Sequence, residues 1–130
     1  METLTYRRKV NFYETDAQGV VHHSNYPRYF EEARGYYLEY IGYPYHLVRN
    51  ELGVDIVLLE MNVKYKKALQ FGDEFDIVFG ITDINKYFFT FEYKVMINEV
   101  LYAEGITKHC CLDIKTKKLV SIPPEILTGL

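Results

Sequence analysis

One amphipathic helix set against a succession of strands is the pattern that most limits this chain. Over residues 26–41, Tyr26, Tyr29, Phe30, Ala33, Tyr37, Tyr40 and Ile41 share one face of a helix, and Arg28, Glu31, Glu32, Gly35 and Glu39 share the other. Arg34 flanks the apolar stripe. Gly42 is a good stop, with Pro44 just beyond it. Residues 45–52 add a short helical turn closed by Gly53. From Val54 onward the pattern changes to strands, and runs over 55–65, 74–82, 87–97, 101–113 and 119–122, rich in β formers, read as such. The segments Gly72-Asp73, 83–86, Asn98-Glu99 and 115–118 read as reversals between them. Residues 3–13 alternate loosely and read as a first strand, while Pro124 onward is a tail or one helical turn. Short reversals join antiparallel neighbours, so the class is α+β, with one domain spanning residues 1–130. A single helix of about four turns covers one face of such a sheet. An edge stays open, and an open edge is a template for pairing, so self-association is the simplest remedy.

The connection between first strand and helix collects the chemistry. Pro27 lacks a backbone N–H and is tolerated only in a first helical turn, which puts the N-cap at or after Ser24. Ser24 and Asn25 are both favoured cap residues. The N–H of His23 then lies just outside the helix, without a helical acceptor and near the positive end of the dipole, where an oxyanion is stabilised. Gly19 gives the preceding loop a backbone conformation that a side chain penalises, or room for a ligand to approach. Asp16 reads either as a turn aspartate or as an ionised carboxylate able to act as nucleophile or general base. The side chain of His23 has its own ordinary use as a loop group bonded to backbone.

The run Tyr13-x-x-Asp16-Ala17-x-Gly19-Val20-Val21-x-His23-x-Asn25-Tyr26, followed by Phe30-Glu31-x-Ala33-Arg34, closely resembles the hotdog-fold acyl-CoA thioesterases. It is most similar to their 4-hydroxybenzoyl-CoA thioesterase and YbgC branch, and the resemblance covers nearly the whole chain. It implies one long helix wrapped by a curved antiparallel sheet of about five strands. It implies a homodimer or homotetramer with the active site at the subunit interface. Hydrolysis of an acyl-CoA to free acid and CoA is the implied activity, with CoA part of the substrate and no cofactor. By resemblance Asp16 is the carboxylate that attacks the thioester carbonyl or activates water, and the His23 N–H, with help from Gly19, polarises that carbonyl. Tyr13, Asn25 and Tyr26 fall in the same motif as substrate-binding candidates. Tyr13 is equally a packing residue, and Asn25 a cap or loop bracket. His22 stands where many relatives carry an aromatic residue. Lys64, Lys66, Lys67 and Lys86 are available for the CoA phosphates, Lys64 and Lys86 being the candidates carried forward, though each is also an ordinary solvated lysine. Lys67-Ala68 replaces a Pro-Ala of the relatives. Glu31 and Arg34 form an i,i+3 pair that suits a surface ion pair or a wall of the site. Tyr87, Phe88, Phe89 and Phe91 suit either an acyl tunnel or a core.

Composition narrows the alternatives. A net charge of −3 gives no basic surface for nucleic acid or anionic lipid. No segment reads as a secretory signal or approaches the about 20 apolar residues of a membrane span. The 2 cysteines, Cys110 and Cys111, are adjacent, point to opposite faces of a strand and fit a reducing compartment, so a cytoplasmic location is expected. His109 beside them lacks converging ligand spacing, so no metal is expected. The other functional readings keep the fold. They are hydrolysis of acyl groups from acyl carrier protein, a hotdog dehydratase, and an acyl-CoA-binding module or oligomeric scaffold without turnover.

Overall fold

A computed structural model describes residues 2–128. Its elements run β1 (Leu4–Lys9), a 3-10 turn (Phe12–Glu14), α1 (Asn25–Tyr40), α2 (Tyr45–Leu52), β2 (Val54–Tyr65), β3 (Glu74–Thr82), β4 (Phe88–Ile97), β5 (Val100–Asp113), β6 (Leu119–Val120) and α3 (Pro124–Leu127). The strands form one antiparallel sheet in the order β1-β3-β4-β5-β2, with β6 beside β5 at Cys111 and Leu112. The long helix α1 lies against one side of that curved sheet. The α+β expectation therefore holds, and among the described residues no helix is long and apolar enough to cross a membrane.

Helix α1 ends as its sequence requires. Gly42 takes φ +86°, its N–H donates to the Glu39 carbonyl, and the Tyr43 N–H reaches back to Leu38. That pair of bonds is a Schellman motif, which needs a left-handed residue at the position glycine fills. The helix buries Tyr26, Tyr29, Phe30, Ala33, Tyr37 and Leu38. Phe30 stacks on Tyr93 of β4 at 4.1 Å between ring centroids, and Tyr29 meets Phe75 of β3 at 5.0 Å. Fully buried side chains of this kind contribute about 1.5–3 kcal/mol each, so this seam is the main source of stability. Tyr40, expected on the apolar face, is 61% exposed, and Leu38 occupies the seam instead.

The first strand is shorter than its alternation predicts. β1 stops at Lys9, and the chain turns inward through Phe12–Glu14. Glu14 is the reason. Its carboxylate is buried and accepts hydrogen bonds from Arg8 at both oxygens, from the Asn11 N–H and from the Tyr29 hydroxyl. Arg8 also holds Glu32 on α1 at 2.6 Å. A buried carboxylate is tolerated only when so compensated.

Strand β2 is an edge of the sheet, pairing only with β5 and bulging between Leu58 and Glu60. Cross-strand partners share a face, so Leu58, Met61, Val63 and Tyr65, opposite His109, Thr107, Gly105 and Ala103, face the helix side. Leu58, Met61 and Tyr65 are nevertheless 49%, 42% and 53% exposed, although Tyr26 in the first turn of α1 meets the Tyr65 ring edge-on at 5.0 Å between centroids. Lys64 lies on the opposite, outward face in a row with Glu104 and Lys94.

Candidate active site at the mouth of the long helix

The loop between the 3-10 turn and α1 is a clamped hairpin. The Asp16 N–H donates to the Val20 carbonyl at 2.8 Å, and Thr15 pairs with Val21. The Val21 N–H donates to Leu69, the Phe71 N–H to Gly19, and the His22 N–H to Glu14. Gly19 has φ +81°, and a Cβ added there would meet nothing within 4 Å, so its backbone angle and not crowding selects glycine. Its N–H donates to the Asp16 carbonyl at 3.0 Å and is thus engaged inside the turn.

Asp16 sits on this turn with an exposed side chain. One carboxylate oxygen accepts the Gln18 N–H at 2.8 Å and, more weakly, the Val20 N–H at 3.4 Å, and the other has no hydrogen-bond partner among the described residues. One oxygen is thus fixed to the turn, and the other is exposed.

At the helix start, donors are consumed one by one. The Asn25 N–H bonds to the His22 carbonyl and the Tyr26 N–H to the His23 carbonyl, Pro27 has no N–H, and the Ser24 N–H bonds to His22 Nδ1. Ser24 does not cap with its side chain, contrary to expectation. Its backbone is already helical (φ −63°, ψ −16°), and its hydroxyl pairs with His22 Nδ1 at 2.8 Å. The His23 N–H alone in this stretch has no acceptor among the described residues. Its ring stacks on His22 with centroids 4.1 Å apart.

His23 opens on a cavity of about 250 Å³ lined by Val21, His23, Tyr26, Tyr65, Lys66, Lys67 and Ala68. Tyr26 is 3% exposed, and burial pushes its phenol up to about 12, so it remains a neutral wall of that cavity. Asn25 is buried as a bracket, donating to the Glu14 and His22 carbonyls and accepting from Arg28. Tyr13 is 78% exposed, its hydroxyl accepting from the Asn11 side chain at 3.2 Å. Asp16 does not line the His23 cavity, so within one chain the two lie on the same clamped loop without sharing a pocket. The cations that do join His23 are Lys66 and Lys67. Lys64 faces outward, and Lys86 lies on the turn after β3, at the opposite end of that strand from the hairpin. Phe89 and Phe91 are core residues packed edge to face.

A second cavity, about 280 Å³, lies between α1 and β2 and is lined by Pro27, Arg28, Glu31, Arg34, Tyr45, Ile56, Leu58 and His109. Beneath it runs a buried chain that the sequence did not reveal. His109 Nδ1 lies 3.2 Å from the Val57 carbonyl, which can only accept, so Nδ1 carries the proton. Nε2 of the neutral ring then accepts from the Thr107 hydroxyl at 2.7 Å, Thr107 accepts from the Tyr93 hydroxyl at 2.6 Å, and Tyr93 accepts from Arg34 at 3.0 Å. Burial foremost, with the Arg34 charge, holds the imidazole down at about 4. The strand alternation that puts Thr107 and His109 on the inward face was the available signal.

Residues 10–130 match the Thioesterase-like superfamily. The chain superposes on the crystal structure of a hypothetical protein from Aquifex aeolicus with a TM-score of 0.91 and 46% identity, covering 98% of each chain. A hypothetical protein from Thermus thermophilus matches with a TM-score of 0.88 and 35% identity over 97% of this chain and 95% of that one. The acyl-CoA thioesterase YbgC of Haemophilus influenzae is 26% identical over 118 residues, 91% of this chain and 87% of that protein. With its helix laid in an antiparallel sheet and a donor left open at the helix mouth, the chain belongs to the thioesterase-like superfamily and has the hotdog fold.

Proposed function

We propose that this protein hydrolyses acyl-CoA thioesters. The observation that carries the reading is the His23 N–H, the one donor left without an acceptor at the start of α1 among the described residues, on a residue that lines the cavity walled by Tyr26 and Tyr65. A thioester oxygen placed there gains a hydrogen bond and the positive end of the helix dipole as negative charge develops. Asp16 supplies the carboxylate, either attacking the carbonyl carbon itself or taking a proton from the attacking water. In both routes the carbon–sulfur bond breaks and the sulfur leaves as the CoA thiol. Direct attack leaves an acyl–Asp16 anhydride that water then cleaves to the free acid and the restored carboxylate, whereas in the base route the oxygen of water enters the acid directly. Lys66 and Lys67 border the cavity where the anionic end of CoA would lie.

Two copies joined along β2 complete the reading. That edge is unpaired, its helix-side row of Leu58, Met61 and Tyr65 is uncovered, and Asp16 stands outside the His23 cavity of its own chain. A second copy seated there closes the cavity and can present an Asp16. The separation of Asp16 from that cavity in one chain also favours a second reading, an acyl-CoA-binding module without turnover. Hydrolysis of acyl carrier protein thioesters keeps the same chemistry with another carrier. Two buried free cysteines suit a reducing, cytoplasmic setting.

The test is thiol release from short, long and aromatic acyl-CoAs and acyl carrier protein thioesters, followed by variants. Asp16→Asn lowers the rate by about 10²-fold or more. His23→Pro, which deletes the N–H, lowers kcat by about 10²–10³, while His23→Ala, which keeps it, costs much less. Acyl-CoA binding with no release from any thioester would decide for the binding module.

A further inference from the structure

Two arginines of this chain turn inward from the helix side of the sheet, and they are treated differently. Arg8 is held by two carboxylates, Glu14 at 2.5 Å and Glu32 at 2.6 Å. Arg34, partly buried, has no carboxylate within ion-pair reach among the described residues. Its neighbours are phenols, Tyr93 at 3.0 Å and Tyr45 beside it. A second guanidinium, Arg28, lines the same cavity and is bonded to the Asn25 side-chain carbonyl instead of an acid. His109 at the floor has both ring nitrogens occupied by Thr107 and the Val57 carbonyl, and it is neutral. Glu31, on an exposed stretch of the rim, is the one carboxylate present and pairs with neither arginine. A desolvated cation without a counter-charge is costly unless something supplies one. A guanidinium with free N–H groups is shaped to receive a carboxylate at two points.

The remaining wall is apolar, formed by Pro27, Ile56 and Leu58, and beyond Arg34 the space closes against Phe89 and Phe91. That lining fits methylenes and not a diphosphate. Pro27 belongs to the first turn of α1, four residues after His23, so the near end of the cavity lies about one helical turn along the chain from the His23 N–H. From position 23 to position 34 the helix rises about 16 Å, and the arginine side chain leans back toward the N-terminus, which shortens the gap.

Resting on the thioesterase reading, we propose that the cavity between α1 and β2 receives the acyl part of the substrate and selects acyl chains that end in a carboxylate, with Arg34 as the specificity-determining group and Ile56 and Leu58 as the wall for the methylenes. The substrate class is the monothioester of a medium-length dicarboxylic acid with CoA.

The experiment compares kcat/KM for suberyl-CoA and octanoyl-CoA, which share a chain length and differ in the terminal carboxylate. Wild type favours suberyl-CoA by about tenfold or more, and in Arg34→Gln that ratio falls by at least about tenfold. Arg34→Lys, which keeps the charge and loses the fork, lies between. Isothermal titration of the two non-hydrolysable thioether analogues and of free CoA accompanies the kinetics, with thermal melting to confirm folding of each variant. Hydrolysis of both thioesters with no preference, or with a preference unmoved by either substitution, overturns the subsite and leaves the thioesterase reading intact. Tighter binding of the suberyl thioether through Arg34 without any turnover supports the subsite and defeats the hydrolase. An equal loss of affinity for free CoA in Arg34→Gln overturns the proposal, because the guanidinium then reads the nucleotide end.

Discussion

The guanidinium of Arg8 meets the Glu14 carboxylate at both oxygens, 2.5 Å to Oε1 and 2.6 Å to Oε2, two residues before the proposed catalytic aspartate. This pair ties β1 to the turn from which the Asp16 hairpin springs, and the Tyr29 hydroxyl at 3.0 Å ties it to α1. Glu14→Gln leaves a guanidinium buried with less compensation, and a loss of about 3 kcal/mol in urea unfolding is expected. Burial raises the Glu14 pKa, but Arg8, the Asn11 N–H and the Tyr29 hydroxyl outweigh it and hold it below the ordinary carboxylate value. A folded pKa below the unfolded one gives stability that is complete above the unfolded value of about 4.3. It is lost as pH falls from there toward the folded value. Stability–pH curves of wild type and Glu14→Gln therefore converge at the acid end.

Gly105 is fixed by space, not by backbone angle. A Cβ there would lie 2.6 Å from Phe30 Cε2 and 3.0 Å from the Asn62 carbonyl. The Phe30 ring is fully buried and stacked on Tyr93, so it has nowhere to go. Gly105→Ala is expected to destabilise by about 1–3 kcal/mol, the usual range for overpacking, read as a lower midpoint in urea.

How far such features were legible depends on whether they are local. The period of α1 and the Gly42 stop are local, and so is the deduction from Pro27 that the His23 N–H lies free. Ser24 holds the N-cap position its sequence suggests but forms no side-chain cap, because His22, two residues away, takes its hydroxyl. Glu14, just past the strand-like run 3–13, gave no signal because its reason for turning inward is Arg8 and Tyr29, visible only once the chain is folded. Lys64 shows the same limit. Its side of the sheet follows from the pairing with Glu104, and register is not written in a single strand. Gly105 and the run Arg34–Tyr93–Thr107 are contacts between separate elements, which no window of sequence contains.

His109 gives a second pH signature in a different window. Burial first, and Arg34 second, depress its folded pKa to about 4, against an unfolded value near 6.5. For a base so shifted the neutral form belongs to the fold. Stability is complete above about pH 6.5 and declines as pH falls to about 4, by about 3 kcal/mol in all. His109→Gln should flatten the profile between those limits while leaving the steeper acid limb set by Glu14. Amide exchange or urea unfolding from pH 4 to 7 measures it. An unchanged slope in the variant would place the titration elsewhere.

Strand β2 yields the last prediction, which concerns assembly. An exposed edge twelve residues long with Leu58, Met61 and Tyr65 uncovered on its helix side is an aggregation hazard unless a copy of the chain covers it. The outward row of β2 carries Glu60, Asn62 and Lys64, which water satisfies, so the contact must involve the edge and the helix-side row. Met61→Lys places a charge in that contact and touches neither cavity, since its side chain is already 42% exposed in the single chain. Light scattering should show the wild type at twice or four times the mass of one chain and the variant as a monomer that still melts cooperatively. On the proposed two-copy assembly thioester hydrolysis should fall with the mass, because Asp16 does not line the His23 cavity of its own chain. A monomer with full turnover would show that one chain completes its own site.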